Sequence, residues 1–214
     1  MKIGILIPDR NDRPKFLQHS LFLLSQQTIQ PDFVEVVNFE SGLVYDLNLR
    51  YRVGIESLKN KGSDVIFFWE NDDYYSPIYL EVMLSYWNAY NQPKLFGIGN
   101  TNYYHLSSLE HVKLTHKDRS SAFSTMISKN IFIDYPNDND KDFDLKLWSN
   151  CIGETFEPLK PICLGIKHNQ GLCGGKGHNV GFKYNQKDKE MLYLESIVDK
   201  ESFKFYKEWH IKLK

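Results

Sequence analysis

Four consecutive residues, Glu70-Asn71-Asp72-Asp73, gather carboxylates at one point of this chain. They end the apolar run Val65-Ile66-Phe67-Phe68-Trp69 and precede Tyr74-Tyr75-Ser76-Pro77. A buried strand that stops in carboxylates presents hard oxygen ligands at the mouth of a sheet, which suits a divalent cation carrying a phosphorylated substrate. Alone, the cluster fits a solvated acidic turn equally well, so its context decides.

Two further stretches are chemically dense. From His168 to Gly181, the glycines Gly171, Gly174, Gly175 and Gly177 surround Lys176. Glycines let backbone amides approach phosphate oxygens, and the lysine adds charge. A loop that closes over a ligand uses the same residues, and a plain surface loop is the third reading. Asp134 to Asp144 is polar and turn-rich, with Asp138, Asp140, Asp142 and Asp144 ahead of the apolar Leu145, Leu147 and Trp148. Acids at a helix start also serve as caps that complement the helix dipole.

The elements that must position these groups alternate. Lys2 to Ile7 reads as a short apolar strand, Pro14 to Gln27 as an amphipathic helix on Phe16, Leu17, Leu21 and Leu24, and Phe33 to Val37 as a second strand. A helix over Val44 to Lys59 follows, closed by Lys61-Gly62-Ser63 before the strand Asp64 to Trp69. Strand, helix, strand, helix, strand predicts a parallel sheet with crossover helices. Pro77 to Asn91 reads as another helix. Beyond it, Leu95 to Ile98, Asn102 to His105, Glu110 to Leu114 and Phe123 to Ile127 read as short strands that make the sheet mixed. An amphipathic helical tail runs through Leu192, Ile197, Phe203, Phe205 and Trp209.

Composition narrows the function. At 214 residues the chain suits one sizeable core. A formal net charge of −1 gives no global field that demands nucleic acid or an anionic membrane. Acids outnumber bases from Asp32 to Asp73, whereas five lysines lie between Pro158 and Lys187. An acidic side facing a lysine- and glycine-rich side is a frame for a diphosphate. Cys151, Cys163 and Cys173 have neither zinc spacing nor the even count of a disulfide framework, so they read as reduced thiols of a cytoplasmic protein. No stretch reads as a transmembrane span or a cleavable signal, and the chain is expected to be soluble.

Several features then fall in a familiar order: Ile5-Leu6-Ile7-Pro8-Asp9-Arg10-Asn11, Phe16-Leu17, Gln27-Thr28, and Pro31-Asp32-Phe33-Val34-Glu35-Val36-Val37. This opening resembles that of family 2 glycosyltransferases of the GT-A fold, whose first strand ends in Pro-Thr-Arg-Asn or a close relative. Glu70-Asn71-Asp72 takes the place of that family's Asp-x-Asp motif, with Asp73 as an extra acid and Pro77 and Leu80 following as in the family. Lys141-Asp142-Phe143-Asp144-Leu145 is similar to its later acidic pair, and Ile166-Lys167-His168 to its histidine after a strand. The resemblance covers residues 2 to 170. Asp9 stands in place of Thr or Ser, Glu70 in place of the first Asp, Asn38-Phe39-Glu40-Ser41 in place of Asp-Asp-Gly-Ser, and Tyr51-Arg52-Val53-Gly54 partly matches Arg-Asn-x-Gly. These departures bear on which base is recognised.

The resemblance implies one GT-A-like (Rossmann-like) α/β domain over residues 1–214, with a mixed, mainly parallel central sheet flanked by helices and a helical C-terminal tail. Residues 1–100 would form the nucleotide-sugar-binding half, 101–182 the acceptor side and 183–214 the tail. It implies transfer of a hexosyl-type sugar, with inversion, from a nucleoside diphosphate sugar, expected to be a UDP-sugar, to an acceptor hydroxyl. Mn2+ or Mg2+ would stabilise the departing diphosphate. Asp72 is the direct ligand, Glu70 acts directly or through water, and His168 completes the shell with His178 as its rival; a nitrogen ligand favours Mn2+. Asp142 is the base by position in the resemblance, with Asp140 and Asp144 its neighbours.

Pro8, Asp9 and Arg10 at the first strand's end, and Asn38 or Glu40 at the second's, lie where a sheet of this winding holds a nucleotide. Asn71 spaces the acidic motif beside the donor, and Lys176 faces its phosphates. Arg52 reaches the base or a phosphate, or is an ordinary solvated helix arginine. Two other classes stay open: a nucleotide-sugar-binding module without activity, and a sugar nucleotidylyltransferase, although the glycine- and arginine-rich phosphate loop of the latter is absent after Ile7. The acceptor is open among glycans, lipids, proteins, small molecules and modified nucleic acid.

Overall fold

The computed structural model describes residues 1–116, 118–140, 142–170 and 185–213. β1 (Ile3–Pro8) is buried throughout and lies between β2 (Phe33–Val37) and β3 (Val65–Phe68), parallel to both. The crossovers are α1 (Pro14–Ser25) and α2 (Leu47–Asn60). β4 (Tyr74–Tyr75) and α3 (Tyr79–Ala89) follow, then β5 (Leu95–Ile98), β6 (Asn100–His105), β7 (Glu110–Thr115) and β8 (Thr125–Ser128). α4 (Phe143–Asn150), β9 (Glu154–Phe156), β10 (Cys163–Lys167), β11 (Gln186–Lys187), α5 (Leu192–Ile197) and α6 (Lys200–Leu213) complete the described elements.

The main sheet has the order β2-β1-β3-β8-β5-β9, and only β8 runs against the others. Side chains alternate across it, as the pleat requires. Ile3, Ile5, Ile7, Val65 and Phe67 face α1, α3 and the tail, whereas Leu6, Ile66 and Phe68 face Tyr51, Ile55 and Leu58 of α2 and Phe143 and Leu147 of α4. Helix α2 seats so closely that a Cβ on Gly54 would meet the Leu6 side chain at 2.6 Å. A larger residue there would push the helix off the sheet.

A second sheet, β11-β7-β6-β10-β4, brings the acidic cluster to its partners. Tyr74 and Tyr75 pair antiparallel with Leu164 and Cys163, so the turn after β3 is laid beside the end of β10, where Lys167 and His168 follow. Gly165 makes room for the neighbouring strand, since a Cβ there would meet the Tyr103 ring at 2.4 Å.

Four details differ from the sequence expectation. The strands expected at Asn102 to His105 and Glu110 to Leu114 do not join the central sheet, because β6 and β7 pair with β10 and β11 in the second sheet. Helix α2 starts at Leu47 rather than Val44, because Asp46, its N-cap residue, is drawn into hydrogen bonds with Ser41 and Arg50. Two very short strands, β4 and β9, lack enough residues for a period-2 signal. The tail is two helices, because Asp199 accepts from the backbone N–H of Ser202 at 2.9 Å and starts a new helix. No helix among the described residues is long and apolar enough to cross a membrane.

Candidate functional site

A cleft of about 430 Å3 opens at the C-terminal ends of β1 and β3. Its wall includes Pro8, Arg10, Glu70, Asp72, Asp142 and His168 of the sequence-derived site, together with Asp140 and Asp144. Residues far apart in sequence meet there because the parallel strands end at one edge and β10 delivers its terminus to the same edge.

The centre is a charge cluster. Asp72 Oδ2 lies 2.8 Å from His168 Nε2 and accepts from Arg13 Nη1, which is itself 3.1 Å from His168 Nε2. Burial works against the Asp72 charge, but Arg13 and then His168 outweigh it and hold the carboxyl well below the usual carboxylate range. His168 is 2% exposed, and its ring stacks on Phe16 at 4.4 Å. Phe16 meets Trp209 of α6 at 4.6 Å, so the tail supports the histidine from behind.

The neighbouring acids are held differently. The Tyr51 hydroxyl donates to Glu70, and burial, followed by the charge of Asp72, raises Glu70 to about 7. Asp73 accepts from the Ile166 backbone N–H at 2.7 Å and is raised well above the ordinary range by burial. Lys167, half-buried above the Tyr103 ring at 5.0 Å, is opposed by burial, yet Asp73 and the other nearby charges move its pKa upward.

At the other end, α4 begins at Asp142, whose side chain makes no capping hydrogen bond. Asp140 is paired with Lys146, and Asp144 lies 3.5 Å from Arg119. Among the described residues, no ion pair involves Asp142, which is exposed. A carboxylate that is accessible and in the cleft wall can accept a proton from a bound hydroxyl.

The remaining predicted residues lie elsewhere. Asp9 is buried and accepts from Asn71 Nδ2 at 2.5 Å, an internal tie between two strand ends. Asn38 is exposed and its backbone carbonyl accepts from Asn11; Glu40 is exposed. Arg52 makes a two-pronged pair with Asp138 at 3.1 and 2.7 Å, outside the cleft wall. Lys176 and His178 lie outside the described residues. Sequence reasoning did not assign Arg13, Lys167, Tyr51 or Arg50. Arg50 is buried in the cleft wall, where it donates to the Val37 and Phe39 carbonyls at 2.8 Å and to Asp46 at 2.7 Å. Its signal was helical phase, since residues two apart on a helix point to opposite sides and Arg52 faces outward when Arg50 faces in.

The cleft suits a cation. Eight acidic side chains line it against four arginine and lysine side chains; burial of Glu70 and Asp73 reduces the surplus of negative charge, and what remains disfavours a diphosphate unless positive charge accompanies it. Among the described residues no three His, Cys, Asp or Glu side chains form a complete metal site. Asp72 and His168 converge as two ligands, and the Arg13 guanidinium already lies against both atoms, so the place accepts positive charge. Two protein ligands completed by substrate phosphate and water are sufficient for Mg2+ or Mn2+.

No protein-family profile matches the chain. No curated protein matches it in sequence either. Among solved structures it is similar to the 1–349 portion of S. aureus TarS in complex with UDP, at 15% identity and a TM-score of 0.53, covering 78% of this chain and 60% of that one. It is similar to the same portion in complex with UDP-GlcNAc at 13% identity and a TM-score of 0.55, covering 85% of this chain and 62% of that one. The chain thus spans less than two thirds of the structures it resembles. At such identity the likeness establishes the fold, a GT-A-like α/β domain with a C-terminal helix.

Proposed function

We propose that this chain is a glycosyltransferase of the family 2 type that takes a sugar from a nucleoside diphosphate sugar, a UDP-sugar first among them, and transfers it with inversion to an acceptor hydroxyl. The observation that carries the reading is one cleft that joins the Asp72–His168 pair to an exposed Asp142 with no ion-pair partner among the described residues. The UDP and UDP-GlcNAc bound by structurally similar TarS chains support the choice of donor.

Asp72 and His168 would hold a divalent cation, with Mn2+ favoured by the imidazole nitrogen. Bound there, the ion would supply charge stabilisation to the departing diphosphate. Glu70 stays with Tyr51 and shapes the field from behind. Arg10, in the cleft wall at the end of β1, meets the donor's phosphates, and Arg50 fixes the segment after β2 that borders the nucleotide.

Asp142 orients the acceptor hydroxyl and takes its proton as the oxygen attacks the anomeric carbon. The new C–O bond forms on the face opposite the breaking sugar–phosphate bond, whose electron pair leaves with the diphosphate. Asp140 and Asp144 are paired with Lys146 and Arg119, which supports the choice of Asp142 as the acceptor-side base.

A thermal-shift screen of nucleotide sugars with and without Mn2+ tests the donor. A UDP-sugar is expected to raise the melting temperature when Mn2+ is present. No shift with any nucleotide sugar under either condition refutes the reading. Affinity without release of UDP, at saturating Mn2+ and over a panel of hydroxyl acceptors, would instead favour a binding module.

A further inference from the structure

Arg13 lies where positive charge is already wanted. Its Nη1 donates to Asp72 Oδ2 and sits 3.1 Å from His168 Nε2, the same two atoms assigned above to a divalent cation. A guanidinium and a metal ion on the same carboxylate oxygen compete, because like charges at that separation repel. The arrival of one therefore favours the departure of the other.

Arg13 is built to leave without disturbing the fold. Its main chain is fixed at the start of α1, where its carbonyl accepts from the Phe16 and Leu17 N–H groups at 3.0 and 3.2 Å and Pro14 opens the helix. Its side chain makes no capping bond, and its other carboxylate partner is the exposed Asp12, 3.3 Å from Nε. Rotation about its own side-chain bonds swings the fork into the cleft, whose wall it already forms beside Arg10. A planar fork of N–H donors there matches the paired oxygens of a diphosphate.

Building on the glycosyltransferase reading, we propose that Arg13 is a resident counter-cation which a divalent ion displaces from Asp72 and His168, and that the displaced guanidinium then binds the donor's diphosphate. Arg13 thereby couples the two ligands. Without nucleotide it competes with the ion; with nucleotide it has somewhere to go, so each ligand favours the other. Asp72 remains paired before the ion arrives.

The test is Mn2+ binding to the full chain, read from loss of the free-ion electron paramagnetic resonance signal, for wild type, Arg13→Gln, Arg13→Lys and Asp72→Asn, each with and without UDP. Without UDP, Arg13→Gln is expected to bind Mn2+ about tenfold tighter than wild type, within the usual range of coupling between ligands. UDP should tighten Mn2+ binding about tenfold in wild type and much less in Arg13→Gln. Should Arg13→Gln fail to fold, Arg13→Lys decides: its single ammonium lacks the fork, so it should bind Mn2+ severalfold tighter than wild type without UDP. If the Arg13 variants equal wild type while Asp72→Asn loses the ion, the competition is refuted and the cation site stands. If wild type and the Arg13 variants all fail to hold Mn2+ with or without UDP, the cation site falls and the inference falls with it.

Discussion

The Asp72 end of the cleft and the Asp142 end hold their charges in different ways. Asp72 is enclosed by Arg13 and His168, Glu70 is bound by Tyr51, and Asp73 is tied to the Ile166 amide. The contacts of Asp72 and Asp73 join elements from distant parts of the sequence, and His168 is further backed by Phe16 and Trp209. At the α4 end, Asp140 and Asp144 have one cation each, and Asp142 projects from the helix start with none among the described residues. The first end is held by contacts between several elements, as the proposed binding of a diphosphate with its counter-ion would require. The second keeps an accessible carboxylate beside a surface that different acceptors can approach.

The largest expected effect falls at the open end. Asp142→Asn should lower UDP release in the presence of acceptor about a thousandfold, within the span contributed by general-base catalysis, while UDP affinity stays at the wild-type value. Equal losses in Asp140→Asn or Asp144→Asn, with Asp142→Asn active, would move the base and erase the contrast between the two ends.

At the enclosed end, Arg50→Ala removes a buried cation that satisfies Asp46 and two carbonyls, and should cost about 3–5 kcal/mol in urea unfolding, as broken buried pairs do. A loss below about 1 kcal/mol would mean that the segment after β2 is held by other contacts.

An intermediate effect comes from pH. His19, stacked on Phe205 of α6, and His116 have pKa values lowered to about 4, in each case chiefly by burial; Asp199 opposes the shift at His19, and Arg119 adds to it at His116. Unfolded histidine takes up its proton near pH 6.5. Between about pH 6.5 and 4 the unfolded chain therefore binds more protons at these two histidines, and their contribution to stability falls as pH falls. Glu70, raised to about 7, works in the opposite sense over part of the same range, so the histidine contribution is read from the difference between chains: the urea midpoint of His19→Gln should lose less on going from about pH 7 to about pH 5 than that of wild type. An unchanged slope in the variant would show that His19 does not stay neutral under the tail.

The smallest effect separates two neighbouring arginines. Arg52 and Asp138 are both substantially exposed, so Arg52→Ala should change stability by less than about 0.5 kcal/mol and leave UDP affinity alone. A large loss of UDP affinity would return Arg52 to the donor site.

The first three strands and their crossovers were legible in the sequence because β1 and β3 are continuous apolar runs, β2 is apolar on either side of Glu35, and each helix carries a periodic apolar face. The acidic cluster was legible for the same reason, since it marks where a buried strand must end. What the sequence did not disclose was pairing across the sheets. Arg13 follows an ordinary charged turn, and nothing local shows that β4 and β10 bring His168 to Asp72. Arg50 and Arg52 differ only in helical phase, and it is Arg50 that lies on the buried side with Tyr51, Gly54 and Ile55. Asp199 was a cap signal in plain view, with Ser202 three residues on, yet the apolar pattern of the tail ran across it.

Calorimetric titration of UDP into wild type and Asp72→Asn, each with Mn2+ and with chelator, tests the central claim most directly. Wild type should bind UDP tightly with Mn2+ and weakly with chelator, and Asp72→Asn should bind weakly in both. Equal UDP affinity in all four titrations would contradict a donor site organised by a cation at Asp72.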